Sequence, residues 1–131
     1  METAAEVGTP RQVVFDREDQ LQQIQSGLMA GEQLFAVYDA KGAATGFLAL
    51  TDRRVIIQDK SYIGKKIAML SLPYTRIATV GILSDKSWMG NFYSTSEILI
   101  TTSSGTHHEV MFRGNDKAKY VHDTILFYIT K

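Results

Sequence analysis

Few residues in this 131-residue chain combine the types and spacing that chemistry needs. His107-His108-Glu109 invites a metal reading. Neighbours on an extended strand point to opposite faces, so the two histidines cannot share an ion. His107 and Glu109 share a face, but two ligands do not complete a site, and His122 lies on a separate helical stretch. No metal is expected. The serines stand in no nucleophile motif, and the chain has no glycine-rich phosphate loop leading into a helix, no HExxH and no GxSxG. Catalysis requires nucleophile, base and stabiliser together. No catalytic residue and no cofactor are expected, which leaves binding.

Two stretches carry binding chemistry. Trp88-Met89-Gly90-Asn91-Phe92-Tyr93 concentrates aromatics and methionine, the types enriched in interface centres and hot spots. It either docks a partner or folds back as a lid on the core. Arg53-Arg54 can hold a phosphate or a partner's carboxylate, or pair with neighbouring acids such as Asp52 or Asp59.

The elements that position these residues follow from periodicity. Residues 1–15 read as a flexible tail with no basic or apolar leader pattern, and so not as a signal peptide. Asp16 is placed to cap a helix over about 17–30, with Glu18 and Asp19 at its positive end. Leu21, Ile24 and Leu28 form its apolar stripe, and Gly31 stops it. The period then changes to two. Strands are expected at 34–38, 46–50, 55–57 and 67–72, the last ended by Pro73. Three more follow at 77–83, 97–102 and 107–113, with a turn at Ser103-Ser104-Gly105 between the last two. Ala118, Val121, Ile125, Leu126 and Ile129 line one side of a final helix over about 115–130. The prediction is one mainly β (α+β) domain over 16–131, with its barrel at about 33–113. Helix, four strands, three strands, helix is the order.

This order is similar to that of the pleckstrin-homology fold. The sequence resembles the bacterial PH-like domain family through GEQLFAVYDA at 31–40, GFLALTDRRVII at 46–57 and IGKKIAMLSLPYTRIATVGI at 63–82. Thr51-Asp52-Arg53-Arg54, Gly64-Lys65-Lys66 and Leu72-Pro73-Tyr74 followed by Ile77 match the family pattern in order and spacing. The resemblance implies a split barrel of seven antiparallel strands (4+3), a C-terminal capping helix and, in this chain, an extra N-terminal helix. It also implies that Lys41, Lys60, Lys65 and Lys66, with His107 and His108, gather at the open barrel end that binds lipid in some PH domains. Ammonium groups attract anionic headgroups at roughly 1 kcal/mol per Lys near a charged surface, and Tyr62 and Ile63 stand at the loop tip. Against specific phosphoinositide binding, the first hairpin offers only Lys41 before Gly42-Ala43-Ala44.

Composition narrows the partners. Lys plus Arg equals Asp plus Glu at 14 each, so broad nucleic-acid binding is not expected. Cysteine is absent and no apolar run spans a bilayer, which points to the cytoplasm. The reading is a non-catalytic interaction module that self-associates or docks a protein. Its expected contacts are Trp88, Met89, Phe92 and Tyr93, with Leu21, Ile24 and Leu28. The alternative is a peripheral module that binds an anionic membrane surface or a phosphorylated ligand through Lys41, Lys60, Lys65 and Lys66.

Overall fold

The computed structural model describes residues 12–42, 45–60, 66–83, 96–114 and 116–131. In chain order they form β1 (Val14–Phe15), α1 (Glu18–Gln25), β2 (Leu34–Lys41), β3 (Thr45–Thr51), β4 (Arg54–Asp59) and β5 (Ala68–Pro73). A 3-10 turn (Tyr74–Arg76) leads to β6 (Ile77–Leu83), β7 (Glu97–Thr102), β8 (His107–Phe112) and α2 (Lys117–Ile129). The strand path is β5-β4-β3-β2-β8-β7-β6, and it does not close. The expected four and three strands are therefore both present. Among the described residues, their strands are joined where Ala40 and Lys41 of β2 pair with Phe112 and Met111 of β8.

β3 and β4 are buried on both faces, which explains their unbroken apolar runs. Leu48, Leu50, Val55 and Ile57 point into the barrel, where α2 adds Val121 and Ile125. Phe47, Ala49 and Ile56 point outward and pack with Ile24 of α1. Alternation of side chains across a strand makes both sets possible. The phase shifts once in β2, at an irregularity between Leu34 and Ala36, so Phe35 and Ala36 both join the inner core while Val37 joins the outer one.

The ends differ from expectation in informative ways. Val14 and Phe15, read as tail, pair in parallel with Ala36 and Val37 of β2. They cover a stretch of β2 that the short β2–β8 pairing leaves open, and uncovered edges are costly. α1 is shorter than predicted and stops at Gln25. Ser26 donates its hydroxyl to Gln23 O, and Gly27 follows. Asp16 does not cap it. Its carboxylate instead accepts from the Asp39 backbone N–H (2.9 Å) and from Lys117 Nζ (2.7 Å), tying the entry of α1 to β2 and to α2. In α2 the stripe includes Thr124, whose hydroxyl is satisfied by Tyr120 O, whereas Leu126 is exposed.

Candidate interaction surfaces

The turn between β3 and β4 holds the segment that follows α1. Arg54 does not pair with Asp52 or Asp59. It grips Glu32, 22 residues away, through Nε (2.8 Å) and Nη2 (2.9 Å). Thr51 Oγ1 (2.7 Å) and the Met29 backbone N–H (2.9 Å) complete the carboxylate, whose side chain is fully buried. The Arg54 hydrogen bonds hold the Glu32 carboxyl down to about 2 against the cost of burial. Arg54 also reaches Ser71 Oγ on β5 and Gly27 O after α1. Arg53 points its Nη2 at Ala30 O. One polar cluster thus clamps the α1–β2 connection to β4 and β5, so Arg54 is taken by its own chain.

This clamp decides where the expected contact stripe goes. Ile24 is 3% exposed against Val37, Phe47 and Ile56, and Leu21 and Leu28 are partly buried beside it. Burying an isoleucine contributes roughly 1.5–3 kcal/mol. The helix therefore packs on its own sheet, and Leu21, Ile24 and Leu28 are engaged within the chain. Trp88, Met89, Phe92 and Tyr93 lie outside the described residues.

The lysines are brought together in part. Lys41 ends β2, and Lys60 follows β4, whose last residue Asp59 pairs with both Thr45 of β3 and Ala68 of β5. Lys66 stands two residues before Ala68. Strand register therefore carries Lys41, Lys60 and Lys66 to one end of the four-strand half, all three exposed. Lys65, Tyr62 and Ile63 lie outside the described residues.

Among the described residues, the main path of the open sheet ends at β5 on one side and β6 on the other. Beside β5 runs a groove of about 520 Å3. One wall is Leu70, Ser71, Leu72 and Pro73, and the other is the β7–β8 turn with His108. Ile67 (58%) and Met69 (45%) are among the most exposed large apolar side chains described, and both stand at this edge. His108 and His107 point apart, as strand alternation requires. His107 Nδ1 lies 2.9 Å from Thr101 Oγ1, while His108 faces the groove. Burial pushes the His108 imidazole below its ordinary value, with Asp59 opposing weakly. The groove is not legible in the sequence, because its walls come from residues 70–73 and 102–108. The alternation of half-buried and exposed residues in β5 was the available signal.

Comparison with known proteins places this architecture. The family model for bacterial PH domains matches residues 10–129. Among solved structures, the chain is similar to a pleckstrin homology domain from Shewanella amazonensis SB2B. Identity is 20%, the TM-score is 0.63, and the match covers 88% of this chain and 100% of that one. Likeness at this identity speaks for the fold. No curated protein matches the chain.

Proposed function

This chain belongs to the bacterial PH domain family, and from that premise we propose that it is a non-catalytic module that self-associates or docks a protein segment along the free edge of β5. The single observation that carries this reading is the groove edge itself. A strand paired on one side only among the described residues, carrying exposed Met69 and preceded by exposed Ile67, with Leu70 and Leu72 half-buried along a groove, offers backbone partners and side-chain pockets together. Strand addition uses that combination, main-chain bonds giving affinity and alternate side chains giving specificity. The natural first occupant is a second copy of the chain, with the Trp88–Tyr93 stretch contributing on its composition alone. Hydrogen exchange measured at low and high protein concentration tests the reading. Amides of β5 should gain protection as concentration rises, while β7 amides should not change. Equal protection of β5 at both concentrations argues against self-association.

A second reading has its own observation, the convergence of Lys41, Lys60 and Lys66 at one end. It predicts attachment to anionic vesicles that salt abolishes, because exposed charges are screened within about 8 Å at physiological ionic strength. Among the described residues, no helix is long and apolar enough to cross a membrane. Flotation with neutral and anionic liposomes separates this reading from the first.

A further inference from the structure

On the outer face of the sheet, away from the β5 groove, Gln20 of α1 turns inward and is 6% exposed. Its Nε2 donates to Asp39 Oδ1 at 2.8 Å. That bond fixes the amide orientation, since an amide oxygen facing the carboxylate would be repelled. Its Oε1 is buried and has no hydrogen-bond partner among the described residues. Such orphaned acceptors are rare and costly. Gln20 lines a pocket of about 290 Å3 between the start of α1 and the ends of β2, β3 and β4. Gly46 floors it. A methyl group there would collide with Gln58 Oε1 and crowd the Lys60 side chain, so glycine lets both cross the floor.

The walls carry both signs. Arg17, Lys60 and Arg113 face Asp19 and Asp39, which leaves one net positive charge. Arg17 is bonded to Asp19 (2.8 Å) and Arg113 to Asp39 (2.6 Å), whereas Lys60 has no ion-pair partner among the described residues. Burial would raise the Asp39 carboxyl, but its bonds from Arg113 and Gln20 hold it below the usual range, so it stays anionic. Arg17 and Arg113 are more than half exposed, at 57% and 59%. A ligand reaches the covered Oε1 only with a shift of lining side chains, and these two are exposed ones.

We infer that this pocket binds a free acidic α-amino acid. The ammonium group donates to Gln20 Oε1 beside Asp39. The carboxylates meet Lys60 and the outer guanidinium N–H groups of Arg17 and Arg113. One ammonium and two carboxylates give the ligand a net charge of minus one, matching the pocket. The polar walls offer nothing to an acyl chain or an aromatic ring. This site lies apart from the proposed docking edge, and either can fail without the other.

The test is an NMR titration of the full chain with L-glutamate, and in parallel with glutarate, which keeps both carboxylates and lacks the ammonium. Glutamate should shift the Gln20 side-chain amide and the backbone amides of Gly46 and Lys60 in a saturable way. Glutarate should bind at least about tenfold more weakly, because it leaves the buried acceptor unpaired. Lys60→Gln, an exposed substitution, should weaken glutamate without altering the fold. Equal or tighter binding of glutarate overturns the inference, since the pocket would then be selecting charge alone. Absence of saturable shifts at these positions at millimolar glutamate also overturns it.

Discussion

Replacing Arg54 by Met exposes how the clamp around Glu32 works. In the native chain the Glu32 carboxylate accepts four hydrogen bonds, two of them from Arg54. Its side chain is fully buried, and that of Arg54 is only 18% exposed. Arg54→Met leaves the charge buried with two neutral donors, and stranding a buried charge typically costs about 3–5 kcal/mol. Against a usual total of about 5–15 kcal/mol, that is a large share. The pH dependence gives an independent magnitude. The carboxyl sits at about 2 in the folded chain against an ordinary 4.5, and that lowering corresponds to about 3 kcal/mol. Because the folded value is depressed, this stability is fully present above 4.5 and is lost as pH falls through about 2. Urea unfolding followed by circular dichroism, repeated from neutral pH downward, reads both effects. Arg54→Met should lose several kcal/mol at neutral pH and show a shallower decline between 4.5 and 2 than the native chain. The double substitution Glu32→Gln with Arg54→Met should cost less than the two single costs added, as expected for residues in one network. A loss below about 1 kcal/mol, or native and variant curves that stay parallel through the acid range, would refute the clamp.

Three further outcomes follow from the same packing. Ile24→Ala should cost about 2–5 kcal/mol in chemical denaturation, because it opens the small outer core beneath α1. Tyr74→Phe removes the bond from the buried phenol to Thr51 O (2.7 Å) and should lower stability by about 1–3 kcal/mol while keeping the ring stack on Tyr128. His108 resists protonation in the folded chain, so the unfolded chain binds more protons and stability should fall as pH drops through 6.5. His108→Phe should flatten that slope in thermal melts, and an unchanged slope would show that His108 is not its source.

How much of this was legible depended on the range of the interaction involved. Strands β6 and β7 are found where period and turn residues put them, since alternation and Gly105 are local signals. The two-faced burial of β3 and β4 is also written locally, as apolar runs without polar alternation. The grip of Arg54 on Glu32 was not legible. Asp52 and Asp59 are nearer in sequence, and only the fold brings residue 32 alongside residue 54. The same is true of Gln20, which reads as a solvated helix position until Asp39 and Arg113 meet beneath it. β1 was hidden because two residues carry no period, and its place is fixed by the open edge of β2. Leu21, Ile24 and Leu28 were legible as a stripe, but the surface they face was not.

Sedimentation velocity over a concentration series tests the proposed function most directly, run on the native chain and on Ile67→Lys with Met69→Lys. Both side chains are exposed, so the double variant should keep its fold and its melting temperature. The account predicts a native chain that shifts to a dimer or larger species as concentration rises, and a variant that stays monomeric. Native and variant chains that remain monomeric alike, or that associate equally well, would contradict self-association through the edge of β5.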